Sequence, residues 1–128
     1  MPWQILEGAR DIPITLFQAV PELDAGPVYA RSTMRTKGTE LLPELRTQLA
    51  AEISRLCLDF AVRYPAILAE ATPQEGQSSK YRKRTPEDSE INPHETIAAQ
   101  FDLLRIVDND VYPAFFTHRG RRYILKIE

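Results

Sequence analysis

Leu23-Asp24-Ala25-Gly26-Pro27-Val28-Tyr29 is the stretch that organises this chain. It follows Ile12-Pro13-Ile14-Thr15-Leu16-Phe17-Gln18-Ala19-Val20, a run rich in β-branched and aromatic residues that reads as a strand. After it, Val28, Ala30, Ser32 and Met34 alternate with Tyr29, Arg31 and Thr33, the period of a second strand. The two strands can pair as a hairpin with a long loop, and residues 21–26 carry turn chemistry. One carboxylate, Asp24, therefore sits at a turn between two apolar segments, where it can face a cleft instead of the core. On composition alone, an Asp two residues ahead of a Gly is a turn residue that stabilises its own backbone.

Working outward, residues 2–7 read as the end of a helix, with Gly8 as its C′ residue. Leu41, Leu45, Leu49, Ile53, Leu56 and Phe60 recur at spacings of three and four. That spacing predicts an amphipathic helix running to about Arg63, with Thr39 as N-cap, Pro43 in its first turn and Pro65 as its stop. Residues 72–90 change character: Pro73, Gly76, Gln77, Ser78, Ser79 and Pro86 frame the basic run Lys80-Tyr81-Arg82-Lys83-Arg84. This is linker or surface-loop composition. Asn92-Pro93-His94-Glu95 has the pattern of a capped helix start, with Ile97, Phe101 and Leu104 as the apolar stripe. Residues 114–117, a turn at Arg119-Gly120 and residues 123–127 read as a terminal β-hairpin.

The bulk numbers bound the class. A chain of 128 residues with 43% apolar and 27% charged residues suits one soluble domain with a modest core. A net charge of −2 favours neither a dedicated nucleic-acid binder nor a membrane-surface protein. No apolar run approaches the ~20 residues of a membrane span, and no secretory signal is visible. Cys57 is the sole cysteine and lies in a helical pattern, so it reads as a buried, inert thiol. His94 and His118 lack metal-ligand spacing, and no metal site is expected. These features point to a reducing compartment, the cytoplasm.

Trp3-Gln4-Ile5-Leu6-Glu7-Gly8, Ile14-Thr15-Leu16-Phe17 and Leu23-Asp24-Ala25-Gly26, in that order, resemble the second half of a folate-dependent formyltransferase catalytic domain. That family includes methionyl-tRNA formyltransferase and the sugar N-formyltransferases. Residues 82–91 are similar to its R-x-P-x-D-x-x-I segment, and Tyr112-Pro113-Ala114-Phe115-Phe116 to its P-x-x-A-F strand. The ending, residues 121–127, is nearer to the sugar enzymes.

The resemblance implies an α/β fold: the C-terminal half of a Rossmann-like formyltransferase domain, then a linker, a helix and a β-hairpin. The corresponding segments are 1–71, 72–91 and 92–128. Asp24 becomes the catalytic residue, and Leu23 with Asp24 the contact to 10-formyltetrahydrofolate, the formyl donor. The acceptor is a nucleotide-linked amino sugar, bound by Trp3, Tyr81, Arg82 and Arg84.

Read from the residues, the Lys80–Arg84 run is first a solvated loop. Its functional reading has Arg82 or Arg84 forking onto a diphosphate and Tyr81 stacking on a base, with contact to a tRNA backbone the weakest option. Trp3 reads as core more than cleft, and Arg105 as a satisfied structural arginine.

The family's active site also uses an Asn and a His from an N-x-H segment ahead of the W-x-I-x-x-G segment. Here Met1 falls immediately before that point, and neither His94 nor His118 matches the catalytic His. The chain alone is therefore expected to be inactive or nearly so, since one oxyanion donor is worth ~10²–10³ in rate. Half a parallel sheet would leave an unpaired edge and an uncovered helix face. The expectation is that the chain oligomerises, joins a separate N-terminal half, or has been cut from a longer protein. Two other readings stand beside this one: a methionyl-tRNA formyltransferase-like piece, and a non-catalytic remnant or binding module. The short hairpin at the end favours the smaller acceptor over tRNA.

Overall fold

In a computed structural model, the described residues are 1–22, 24–75 and 80–128. The chain divides into two compact units, each interleaved in sequence. One comprises Met1–Arg10, Thr36–Leu45 and Lys80–Glu128; the other comprises Asp11–Arg35 and Arg46–Ser79. The fold mixes helices with two small antiparallel sheets. The expected donor contact Leu23 and the linker residues Gly76, Gln77, Ser78 and Ser79 lie outside the described residues.

The Asp24 unit is built on strands β1 (Asp11–Phe17) and β2 (Val28–Arg35), which pair antiparallel as the hairpin reading expects. Ile12 faces Met34, Ile14 faces Ser32 and Leu16 faces Ala30, so one face is apolar but for Ser32. A shift in register between Leu16 and Phe17 ends β1 three residues short of Val20. Helix α2 (Leu42–Arg63) follows the three–four spacing of its leucines. In this unit Leu56 is buried and the Phe60 ring packs at 5.3 Å from Tyr29. Ser32 donates to Glu52 at 2.7 Å, a polar tie between β2 and α2. The opposite side of α2 is open: Leu58 is 66% and Val62 83% exposed. Cys57 is exposed too, contrary to the buried thiol expected from its helical neighbours.

The other unit starts with α1 (Pro2–Leu6), which lies against α3 (Phe101–Leu104). Gly8 ends α1 as expected: its φ is 81°, its N–H donates to Ile5 O, and Ala9 N–H donates to Gln4 O. This pair of bonds is a Schellman cap. A core of Ile91, Leu104, Val107 and Ala114 is covered by Leu103, Phe116, Leu125 and Ile127. β3 (Ala114–His118) and β4 (Arg121–Leu125) form the expected hairpin. Arg119 (φ 50°) and Gly120 (φ 77°) are its two turn residues, the backbone of a type I′ turn.

Two helix starts differ from the sequence reading. Thr39 does not cap α2. Instead Glu44, in the first turn, accepts the Leu41 N–H at 2.8 Å. Asn92 caps only a turn, because Gln100 claims its backbone: Asn92 N–H donates to Gln100 Oε1 at 2.6 Å, and Gln100 Nε2 donates to Asn92 O at 3.0 Å. Helical geometry resumes at a 3₁₀ turn, Ala98–Gln100, and α3.

A buried ion pair lies in this unit. Arg105 is fully buried, as the structural reading of it requires. It donates to Glu40 O at 2.9 Å, to Glu40 Oε2 at 3.1 Å and to Asp102 Oδ1 at 2.9 Å. Burial pushes the Glu40 carboxyl up, but the backbone N–H groups of Lys37, Glu40, Gly38 and Thr39 pull it down to about 2. Glu40 therefore stays charged opposite Arg105 and closes the turn ahead of α2.

Candidate active site

Asp24 stands at the exposed apex of the β1–β2 connection with φ 55°. Few non-glycine residues adopt this left-handed conformation, and Asp and Asn are enriched among them. The connection is clamped at its feet. Gln18 N–H donates to Pro27 O at 2.9 Å. Gly26 presses so close to this strand that a Cβ would lie 1.8 Å from Gln18 O. Gln74 Nε2 donates to Gly26 O at 2.8 Å, and Val28 and Thr72 exchange backbone bonds of 2.7 and 3.0 Å. The Tyr29 hydroxyl donates to the Gln18 side chain at 3.0 Å. Among the described residues, Asp24 itself accepts no hydrogen bond and joins no ion pair. Its carboxylate is exposed on a braced backbone.

Three of the four residues expected to bind the acceptor come together in the other unit. Trp3, half-buried on α1, donates its Nε1–H to Arg82 O at 2.7 Å. The Tyr81 ring lies parallel to the indole, 7° off and 6.3 Å between centroids. The Arg82 guanidinium covers the indole at 4.9 Å. These groups are already partnered within the unit. Arg82 forks onto Asp88, with Nη1 at 2.7 Å from Oδ2 and Nη2 bonded to Oδ1. The Tyr81 hydroxyl donates to Glu7 at 2.8 Å, which raises its pKa. Asp88, bonded by Arg82 and by the Thr85 N–H, is held well below the usual carboxylate range.

Arg84 turns away from this cluster. It donates to Ile106 O at 3.2 Å and Asp88 O at 3.0 Å, so it pins backbone carbonyls. Asp88 and Glu7 are the carboxylates that organise this cluster; Asp88 is the Asp of the R-x-P-x-D-x-x-I resemblance, and neither was given a binding role from the sequence. The signal for Asp88 was present: Thr85-Pro86-Glu87-Asp88 is a capping box, and both of its reciprocal bonds form.

No protein-family model matches the sequence. Solved structures do match the fold. A methionyl-tRNA formyltransferase from Clostridium thermocellum superposes over 94% of this chain and 52% of its own, with a TM-score of 0.68 and 21% identity. A Mycobacterium tuberculosis protein described as an uncharacterised protein and candidate sugar N-formyltransferase matches over 98% of this chain and 56% of its own, with a TM-score of 0.74 and 18% identity. The chain has a formyltransferase fold. HypX from Aquifex aeolicus, in a multiply substituted variant, shares it over 97% of this chain and 22% of its own, with a TM-score of 0.70 and 19% identity. This formyltransferase fold spans about half the length of the first two structures. Among the described residues no helix is long and apolar enough to cross a membrane.

Proposed function

We propose that this chain is the C-terminal part of a formyltransferase that moves a formyl group from 10-formyltetrahydrofolate to the amine of a nucleotide-linked amino sugar. The observation that carries the reading is Asp24: an exposed carboxylate with no partner among the described residues, held at φ 55° in a turn clamped by Gly26 and Gln74, on a fold shared with formyltransferases. In this reading the acceptor amine attacks the formyl carbon and a C–N bond forms. The bond from that carbon to the folate nitrogen breaks, and the proton lost by the amine passes to the departing nitrogen. Asp24 orients the group that carries this proton and takes part in its removal. The Asn and His that steady the oxyanion come from an N-x-H segment supplied by a complementary half. Asp24 is exposed, so in this reading its carboxylate is accessible to the imidazole it would orient.

Trp3, Tyr81 and Arg82 are the residues proposed for the nucleotide of the acceptor, through ring stacking and guanidinium contact. Arg84 supports them by fixing the backbone of Asp88. The cytoplasm is the proposed compartment. Likeness to the Clostridium enzyme keeps methionyl-tRNA as a second acceptor to be tried.

The test combines the chain with a separately expressed formyltransferase N-terminal half that bears the N-x-H segment. Formyl transfer to nucleotide-linked amino sugars is followed by mass. Product is expected only from the combination, and Asp24→Asn should lower the rate ~10²–10⁴-fold. Full rates with Asp24→Asn, or no transfer to any amino sugar, would overturn the reading. Transfer to methionyl-tRNA alone would replace the acceptor.

A further inference from the structure

The β3–β4 hairpin carries cations that the proposed formyl transfer does not use. Its tip reads His118-Arg119-Gly120-Arg121-Arg122, with His118 directly opposite Arg121. Strand alternation places Phe116, Tyr123, His118 and Arg121 on one face of the ribbon, and Phe115, Ile124, Thr117 and Arg122 on the other. On the first face the Phe116 and Tyr123 rings stack at 5.2 Å and 16°. The Arg121 guanidinium lies 5.4 Å from the Tyr123 centroid, and the exposed His118 ring lies 6.5 Å from that of His94. On the second face Arg122 covers Phe115 at 3.5 Å. Glu87 is the carboxylate that feels Arg122, yet among the described residues Arg119, Arg121 and Arg122 form no salt bridge. Rings, not carboxylates, hold the guanidinia of Arg121 and Arg122. The Arg121 plane extends an aromatic surface that includes Tyr123, 40% exposed, while Arg122 lies on the opposite face, and both charges stay open to an anion.

We propose that this hairpin is a docking platform for single-stranded nucleic acid. Bases stack along Tyr123, Arg121 and His118, and the phosphates meet Arg119, Arg121 and Arg122. A stacking face needs unpaired bases, which disfavours a duplex. Three guanidinia spread around an exposed turn suit successive phosphates better than one enclosed anion. The chain's net charge of −2 does not oppose this, because exposed charges more than about 8 Å away are largely screened at physiological salt.

Fluorescence anisotropy of the full chain with a labelled oligo(U) of about ten nucleotides tests the proposal across a salt series. Binding is expected near 50 mM salt, with a log–log salt slope of about −2 for three phosphate contacts. Arg121→Gln with Arg122→Gln should weaken binding at least tenfold and bring the slope to about −0.7. Tyr123→Leu should weaken it about fivefold or more and leave the slope in place. Arg121→Lys, which keeps the charge and loses the planar stack, should fall between native and double variant and guards against misreading a damaged hairpin. No binding at low salt would overturn the proposal. So would undiminished binding by the double variant, or equal competition by a duplex of the same length or by free uridine triphosphate.

Discussion

At Asp24 and Gly26, two residues apart, chemistry and architecture separate. Asp24 is exposed and, among the described residues, unpartnered, so its carboxylate contributes little to holding the turn. Asp24→Asn keeps a residue that tolerates the left-handed backbone and removes only the charge. The expected outcome is a melting temperature within about a degree of native, together with the rate loss in the complemented assay. Gly26→Ala should do the reverse. Its Cβ would enter the Gln18 carbonyl, 1.8 Å away, and the turn must shift. A loss of about 2 kcal/mol or more in a denaturant titration is expected. An Asp24→Asn protein that unfolds as readily as Gly26→Ala would show that the carboxylate is structural. The difference between these residues was half legible in the sequence. Turn composition marked both, but the resemblance alone raised Asp24 above a turn. The closeness of Gly26 to Gln18 arises only once the strands pair. Glu40 shows the limit more sharply, since its partner Arg105 is 65 residues away in sequence and no local pattern joins them.

Elements whose ends are set by local chemistry were the legible ones. Gly8 closes α1 with a Schellman cap, and Arg119-Gly120 turns the last hairpin, because positive φ and two-residue loops are written into neighbouring residues. Nothing lies within 4 Å of a Cβ built on Gly8. Gly8→Ala should therefore cost only the backbone penalty, about 1 kcal/mol, readable as a small shift in denaturant midpoint. A cost several times larger would mean that α1 depends on more than its cap. Where a distant side chain competes, local reading failed. Gln100 bonds both backbone groups of Asn92, and the box that looked like a helix start became a turn. Cys57 failed for another reason. Cys57 lies beside the Leu56–Phe60 stripe and not on it, and among the described residues of its unit this side of α2 stays exposed.

At the scale of the whole molecule, that open side of α2 bears on association. Leu58 and Val62 expose large apolar area. Such a face favours self-association or capture by a complementary half. Size-exclusion chromatography at rising concentration should show an apparent mass above that of one chain, and Leu58→Glu with Val62→Lys should return it to a monomer. A native protein that stays monomeric and well folded throughout would count against association.

Acid should unfold the molecule through Glu40. Its carboxyl titrates near 2 when folded and near the ordinary 4.5 when unfolded, so the unfolded chain binds the proton first as pH falls. The stabilisation is complete above about pH 4.5 and drains away between there and pH 2. Protonation in the folded state would leave the fully buried Arg105 without its charge partner on Nη2, and only Asp102 would remain to balance it. Breaking a buried pair from one side typically costs about 3–5 kcal/mol. Glu40→Gln should therefore unfold more easily at neutral pH. It should also lose Glu40's share of the pH dependence between 4.5 and 2, while the share of Asp88, likewise held low, remains. Midpoints of urea unfolding at pH 7, 4.5 and 3 measure both effects. If the native and Glu40→Gln midpoints fell in parallel with pH, acid sensitivity would reside in other carboxylates and the Glu40–Arg105 pair would not be its source.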